Sequence, residues 1–157
     1  RDITITGDMT AELYISSDAP DTDFIVRVTD VDEKGRSIKL ADGILSARYR
    51  NGFEKMEFLT KDEVVCLKIR TTKISNCFKK GHRIRVTVTS GAKNLVFPNS
   101  NTKDGYNSTV YAVAHNKVHH GGSHASRLTV RVEPGAAGQQ KVNRDKSDRI
   151  SLTQTGR

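Results

Sequence analysis

Hydrophobic residues recur at every second position in several separate stretches of this 157-residue chain, and this period limits what the chain can fold into. Successive side chains of a strand point to opposite faces, so each stretch predicts a strand with one face for a core. The stretches with this period are 11–16, 24–29, 65–69, 83–89 and 128–132, and 108–115 is a further candidate. Turn signals such as "DEKG", "KKG" and "HHGG" separate them. The pattern predicts an all-β antiparallel sandwich of the jelly-roll or Greek-key type.

No stretch of useful length shows hydrophobic residues at the 3.6-residue spacing of a helix. Residues 53–63 are ambiguous and could hold one short helix. The length suits one domain that buries most of its apolar surface. We predict a jelly-roll domain over 1–134 that contains a long polar loop over 91–107. After Pro134 the composition becomes polar and basic, which predicts a tail over 135–157.

The composition predicts a soluble protein without a membrane partner, since hydrophobic residues make up 35% and the mean hydropathy is -0.55. No apolar run is long enough to span a bilayer. The chain starts at Arg1 without an apolar signal region, so we expect a piece of a longer bacterial-type protein. Its location, cytoplasmic or secreted, stays open. Cys66 and Cys77 lack metal-ligand spacing, and Cys66 is expected to be a small buried thiol.

Charge is distributed unevenly along the chain, with ten acidic and five basic residues up to Leu45 but eight acidic and twenty-one basic residues from Ser46 onward. This asymmetry is typical either of nucleic-acid binding or of a domain half that faces an oppositely charged partner. The basic residues of 79–85 could form a phosphate-binding stripe. Aromatic content is 6% and tryptophan is absent, so stacking platforms are few and we expect no nucleic-acid partner.

Three aspartates, Asp18, Asp21 and Asp23, surround Pro20 just before a predicted strand. Aspartate side chains in such turns bond nearby backbone amides, so an ordered loop is predicted here. A paired-carboxylate hydrolase would need a cleft and a second acidic cluster, and the sequence offers neither.

The stretch "DVDEKG", residues 30–35, begins like a calcium loop. Lys34 and Ala41 occupy positions that need oxygen ligands, and the flanking segments are strands where helices are required. The stretch therefore predicts a hairpin turn in which Gly35 takes a positive φ.

Histidines and a serine cluster in "HNKVHHGGSHA", residues 115–125. His115 and His119 have the spacing of a zinc-protease helix, but the glutamate of HExxH is missing, so we predict a loop between strands and no metal site. Ser123 lies in a G-x-S-x-G-like setting without the strand before it and the helix after it that a nucleophile elbow requires. The chain by itself is therefore predicted to lack catalytic groups, metals and cofactors.

Two long segments, "SSDAPDTDFIVRVTDVDEKGRSIKLADGILSARYR" (16–50) and "SNCFKKGHRIRVTVTS" (75–90), resemble a known protein family. They are similar to the C-terminal non-catalytic domain of X-Pro dipeptidyl-peptidase and CocE/NonD (cocaine esterase-like) serine hydrolases. "NSNT" (99–102) and "HASRLTV" (124–130) match weaker features of the same domain. The resemblance covers most of 3–132.

This resemblance implies a jelly-roll sandwich related to galactose-binding-like domains. It also implies an α/β-hydrolase catalytic domain in the same parent chain, which carries the Ser-Asp-His triad and acts on acyl esters or Xaa-Pro peptides. The domain would pack on that partner, shape the substrate entrance and support a homo-oligomer. Motif residues with expected structural or interface roles are Asp18, Asp21, Asp23, Asp42, Gly43, Asn76, Phe78, Gly81, His82, Arg83 and Ser126.

The sequence departs from the family in the loop "TSGAKNLVFPNSNT", which lacks the arginine that members carry there. Cys77 replaces a more usual apolar residue at an expected core position. If the domain docks on a catalytic domain, it should expose a larger apolar patch than a monomer tolerates. The alternative is a standalone carbohydrate-binding jelly roll, and the lack of tryptophan argues against it.

Overall fold

The computed structural model describes residues 1–134 and the backbone of 149–150. Antiparallel strands account for its regular structure, and the only helical pieces in this part of the chain are three 3-10 turns, Ala47–Tyr49, Gly105–Asn107 and Gly122–His124. The strands are β1 (Ile3–Gly7), β2 (Thr10–Ser17), β3 (Asp23–Val31), β4 (Ser37–Ser46), β5 (Val65–Arg70), β6 (Ile74–Phe78), β7 (Arg83–Thr89), β8 (Asn116–His119), β9 (Arg127–Thr129) and β10 (Arg149–Ile150).

Two main sheets form the sandwich. One has the order β4-β3-β7, and the other has the order β10-β9-β2-β5, in which β8 also pairs with β2. β1 and β6 form a separate pair. All pairings are antiparallel, so the predicted all-β sandwich is confirmed. None of the described helices is long and apolar enough to cross a membrane.

The core lies between the sheets and follows the period-two pattern. On β2, Leu13 and Ile15 are buried, while on β3 the inward side chains are Phe24, Val26 and Val28. Burying a large apolar side chain contributes about 1.5–3 kcal/mol, so these rows supply most of the driving force. The fully buried members include Phe24, Ile5, Met9, Ile15, Leu67 and Ile69.

The strand candidate at 108–115 is wrong, and the segment that the sequence left ambiguous, 53–63, holds no helix. Residues 108–115 form no strand, and β8 begins after them at Asn116. Residues 53–63 form no helix, because their backbone amides bond distant carbonyls: Glu57 bonds Arg48 and Leu59 bonds Pro20. In each segment, local pattern was outweighed by tertiary hydrogen bonding.

The predicted loop over 115–124 contains β8, so that interpretation is corrected as well. The hairpin prediction at "DEKG" is confirmed, because the Gly35 amide donates to the Asp32 carbonyl and Gly35 has a φ of 83°. The predicted tail over 135–157 lies outside the described residues, apart from β10, which pairs with β9.

Folding pairs acidic residues of the first part of the chain with basic residues of the second. Asp2 lies 3.0 Å from Lys79, and Asp21 lies 2.8 Å from Arg48. Further pairs of this kind are Asp8–Arg70 and Glu12–Arg127. Part of the charge asymmetry along the sequence is therefore compensated by ion pairs within the fold.

Gly43 lies where β4 passes close to β5 of the opposing sheet. A Cβ at this position would lie 2.6 Å from the carbonyl oxygen of Arg70 and 2.9 Å from Cγ2 of Ile69. Only glycine fits this close approach of backbone to backbone.

We predict that Gly43→Ala lowers the free energy of unfolding by about 1–3 kcal/mol, because the added methyl group forces the two sheets apart. Gly91→Ala is the matched control, since nothing lies within 4 Å of a Cβ there. It should change stability by less than about 0.5 kcal/mol. Urea unfolding of both variants measures the difference, and equal losses would refute the close approach.

Candidate docking surface

Two carboxylates at the start of β3 are completely enclosed. Asp21 is 0% exposed and Asp23 is 1% exposed. Arg48, in the 3-10 turn after β4, donates its backbone amide to Asp21 Oδ1 at 2.9 Å and its Nε to Oδ2 at 2.8 Å. A buried charge is costly unless it is paired and hydrogen-bonded, and this arrangement provides both.

Asn99 joins the two carboxylates. Its Nδ2 donates to Asp21 Oδ2 and to Asp23 Oδ1, each at 2.8 Å. Asp23 also accepts hydrogen bonds from Ser46 Oγ and Tyr106 OH, both at 2.6 Å. We call Asp21, Asp23, Ser46, Arg48, Asn99 and Tyr106 the buried aspartate network.

The network holds two long segments with little secondary structure, 47–64 and 91–115. Arg48 belongs to the first segment, and its Nη2 donates to the carbonyl of Thr102 in the second at 3.0 Å. Its guanidinium also lies 5.3 Å from the ring centroid of Phe58. Gly105, with a φ of 58°, passes so close that a Cβ would lie 2.7 Å from Arg48 Nη2. Both segments are thereby packed around one side chain.

Tyr106 lies at the edge of the network, where its phenol meets Asp23. Burial, followed by the hydrogen bond to Asp23, raises the pKa of Tyr106 to about 12. The neutral phenol is the form that can donate to the carboxylate. This hydrogen bond fastens the 3-10 turn Gly105–Asn107 to the start of β3.

The same two segments carry a set of exposed apolar side chains, which we call the apolar loop surface. Phe97 is 84% exposed and Phe53 is 78% exposed. The set consists of Phe53, Met56, Leu95, Phe97, Tyr106, Val110, Tyr111 and Val113. The other exposed large hydrophobic residues of the described chain, Ile38 and Ile44, lie on β4. Eight of the ten exposed large hydrophobic residues of the described chain therefore lie on the loops that the network supports, and the large apolar patch stays a prediction.

Asp18 anchors the far end of the second segment. It accepts hydrogen bonds from the backbone amide and from Nδ1 of His115, each at 2.7 Å. The backbone bond, and then the side-chain bond, lower the pKa of Asp18.

The prediction that the three aspartates bond nearby backbone amides is wrong. Their partners lie between 23 and 97 positions away, from Ser46 to His115. The local bond of this turn comes instead from Ser17, whose Oγ accepts from the Ala19 amide at 3.1 Å.

Gly81, His82 and Arg83 of the second family segment lie at the opposite end of β3 from Asp23. His82 Nδ1 is 2.9 Å from Asp30 Oδ1. Asp30 lies seven positions after Asp23 along β3, which is about 23 Å at the usual rise. Gly81, with a φ of 89°, leaves room for the Glu33 side chain, and Arg83 is exposed at the start of β7. Asp23 and His82 therefore do not belong to one site, and Asp42, Gly43, Asn76 and Phe78 lie on further strands, β4 and β6.

Asp42 and Ser126 each connect neighbouring strands. Asp42 accepts from Arg27 Nε at 2.8 Å and lies 2.6 Å from Lys39 Nζ, and the Arg27 bond is the main cause of its lowered pKa. Ser126 Oγ accepts from the Tyr14 amide at 3.0 Å and donates to the His119 carbonyl at 2.7 Å. It fills the place where β2 changes partner from β9 to β8.

Asn76, Cys77 and Phe78 alternate along β6. Phe78 is a core residue, and Asn76 Nδ2 is buried without a hydrogen-bond partner. Cys77 is exposed, so its predicted core position is wrong. Cys66 is half-buried, and burial raises the pKa of its thiol.

The described residues include no group of three or more His, Cys, Asp or Glu side chains that could hold a metal ion. Ser123 lies in a 3-10 turn, and its Oγ is 3.3 Å from Nδ1 of the adjacent His124. No strand-to-helix elbow positions it.

Sequence reasoning missed Ser46, Arg48, Asn99 and Tyr106. The first three lie inside the quoted family segments 16–50 and 99–102, but their role depends on contacts across the fold. One signal could have indicated Arg48. It is a basic residue in the same family segment as the acidic stretch 18–23, whose carboxylates need a counter-charge if they are buried.

Comparison with known proteins finds that residues 1–129 match the X-Pro dipeptidyl-peptidase C-terminal non-catalytic domain. Cocaine esterase from Rhodococcus sp. (strain MB1 Bresler) is 34% identical over 135 residues, which are 83% of this chain and 23% of that protein. The chain therefore spans about a quarter of the curated relative it matches.

Solved structures are similar in fold. An aminopeptidase from a marine sediment archaeon, Thaumarchaeota archaeon, has a TM-score of 0.80 at 24% identity over 85% of this chain and 24% of its own. An α-amino acid ester hydrolase also has a TM-score of 0.80, at 23% identity and with the same coverage of both chains. A CocE/NonD family hydrolase from Staphylococcus aureus has a TM-score of 0.71 at 20% identity, over 85% of this chain and 29% of its own.

We predict that Arg48→Met lowers the free energy of unfolding by about 3–5 kcal/mol, because it leaves the Asp21 carboxylate buried without its cation. Arg36→Met is the matched control. Arg36 Nε also donates to an aspartate, Asp32 at 2.7 Å, but its side chain is 77% exposed. The control should cost less than about 1 kcal/mol. Losses of similar size in urea unfolding would contradict the role of the buried pair.

The raised pKa of Tyr106 predicts a late-titrating phenol in the folded protein. Its contribution to stability is complete below the ordinary tyrosine pKa of about 10 and is lost as the pH rises through about 12. Phenolate absorbance during a pH titration should show one late phenol that Tyr106→Phe removes and Tyr111→Phe leaves in place. A titration that Tyr106→Phe does not alter would refute the Tyr106–Asp23 bond.

Proposed function

Because the chain belongs to the family of X-Pro dipeptidyl-peptidase C-terminal non-catalytic domains, we propose that it packs on an α/β-hydrolase catalytic domain of the same parent protein. The parent would be a serine hydrolase acting on acyl esters or Xaa-Pro peptides. The triad would lie in the catalytic domain, and this domain would form one wall of the substrate entrance.

The apolar loop surface is the observation that carries this proposal. Phe53, Phe97 and Tyr111 are large aromatic residues that are mostly exposed to water, which is unfavourable for apolar surface. Aromatic residues and methionine are also enriched at the centres of protein interfaces. Most of the large exposed apolar side chains of the described residues lie on this surface.

Rigid support makes this surface suitable for docking. Loops that are ordered only on binding lower affinity, because conformational entropy is lost at that moment. Here Arg48, Asn99 and Tyr106 hold both segments against the start of β3 before any partner binds. The buried aspartate network would therefore fix the positions of the loop residues that form the interface.

The position of the loops supports a role at the substrate entrance. They extend from the end of the sandwich where β3 begins and β4 ends. Apolar side chains next to a catalytic cleft would exclude water and restrict which acyl or peptide groups enter.

We predict that the full reading frame containing this chain encodes a G-x-S-x-G serine followed by an aspartate and a histidine, and that its product hydrolyses nitrophenyl acyl esters. In that product, replacing both Phe97 and Tyr111 by serine should lower the unfolding midpoint by several degrees, because the two domains then separate more easily. Differential scanning calorimetry measures this effect.

The matched control replaces Ile38 and Ile44 by serine, since both are exposed apolar residues on β4. In the 157-residue chain alone, each pair should change stability by less than about 1 kcal/mol. Equal effects of the two pairs in the full protein would count against docking at the loops. A reading frame without a hydrolase domain would overturn the proposed function.

A further inference from the structure

The two methionines of the chain lie in opposite environments. Met9 is a core residue that is 0% exposed, whereas Met56 is 54% exposed and belongs to the apolar loop surface. An oxidant reaches a thioether that is open to solvent more readily than an enclosed one, because the enclosed sulfur reacts only when the fold opens. Met56 is therefore the methionine that is open to oxidation in the folded chain.

The sulfur of Met56 also takes part in the hydrogen bonding of a buried side chain. Arg48 Nη1 donates to Met56 Sδ at 3.6 Å. The other nitrogens of this guanidinium have oxygen acceptors, since Nε donates to Asp21 and Nη2 donates to the carbonyl of Thr102. A thioether sulfur is a weak acceptor, so Nη1 is the least well satisfied nitrogen of Arg48 in the described chain.

We propose that Met56 is an oxidation site for a hydroperoxide, and that its sulfoxide weakens docking at the apolar loop surface. A sulfur lone pair attacks one oxygen of hydrogen peroxide, an S–O bond forms and the O–O bond breaks. The proton of the transferred hydroxyl moves to the departing oxygen, which leaves as water. The sulfur loses two electrons, and the peroxide gains them. The effect on docking rests on the proposed function, since a partner domain must cover this surface.

Oxidation should act in opposite directions on the two sides of Met56. Toward the interior, the sulfoxide oxygen is a stronger acceptor than the thioether, and rotation of the flexible side chain brings it to Arg48 Nη1. Toward the partner domain, the sulfoxide is polar and hydrated, and burying it in an apolar interface costs free energy. The isolated chain should therefore keep its stability after oxidation, while docking becomes weaker.

The first test treats the 157-residue chain with hydrogen peroxide and follows each methionine by peptide mass spectrometry. Met56 should gain one oxygen at least about ten times faster than Met9, because Met9 reacts only when the core opens. The unfolding midpoint of the oxidised chain should fall by less than about 2 °C. Similar oxidation rates for the two methionines, or a larger fall of the midpoint, would overturn the proposal.

Met56→Leu is the matched control in the full parent protein, because it keeps an apolar side chain of similar volume and removes the sulfur. Once mass spectrometry shows Met56 fully oxidised, peroxide should have lowered the unfolding midpoint by about 2–4 °C more in the wild type than in Met56→Leu. All other methionines are the same in both proteins. Methionine sulfoxide reductase should remove the difference. An equal fall in both proteins would contradict an effect of Met56 on docking.

Met56→Gln tests the same effect without an oxidant, which matters because a docked domain would itself shield the sulfur. The glutamine carbonyl is a polar acceptor in the position of the sulfoxide. In the parent protein, Met56→Gln should lower the midpoint by about 2–4 °C more than Met56→Leu does. In the 157-residue chain the midpoints of the two variants should differ by less than about 1 °C. Equal midpoints in the parent protein would refute the proposal.

Loss of the oxidation effect and loss of docking give different results. If the serine replacements of Phe97 and Tyr111 lower the midpoint of the parent protein and Met56→Gln does not, docking stands and the role of Met56 is wrong. If neither change lowers the midpoint, the proposed function fails as well.

Discussion

The ion pair between Asp21 and Arg48, enclosed in the protein, determines where both long loops lie. Removing two charges from water is unfavourable, so such a pair persists only where geometry and further hydrogen bonds are nearly complete. Here the backbone amide of Arg48, its Nε and the amide group of Asn99 all point to one carboxylate. Any displacement of either loop would break one of these bonds. The loops have little secondary structure of their own, so the buried charges provide the order that strands provide elsewhere.

Asp23, the second buried carboxylate, also holds the loops in place, but its hydrogen-bond donors are all neutral. It is satisfied by the neutral donors Ser46, Asn99 and Tyr106, which come from β4 and from two parts of the second loop. Burial and the bond to Asp23 raise the pKa of Tyr106, so the donor remains protonated across the physiological range. The loops therefore bury polar side chains and expose apolar ones. This arrangement suits a rigid surface on which a partner domain would pack.

Much of the fold could be predicted from the sequence because its main signal is local. Alternation alone located β2, β3, β5 and β7, and glycine at position 35 marked the hairpin. The same rule failed for 108–115, where apolar residues alternate but no neighbouring strand accepts their hydrogen bonds. The aspartates were recognised as loop-ordering residues, yet their partners could not be read from spacing, since Arg48, Asn99 and His115 come together only in the folded chain. Roles for the family-motif residues at the domain interface remain proposals.

Hydrogen–deuterium exchange measured by mass spectrometry, on the chain alone and within its full parent protein, tests the central claim most directly. In the chain alone, the amides of Arg48, Leu59 and Ala112 should exchange slowly, because they are hydrogen-bonded to Asp21, to Pro20 and to Ser100. In the parent, new protection should appear across 53–58 and 95–113 and be absent from the exposed end of β4. Fast exchange of these three amides, or new protection confined to another face, would contradict the account.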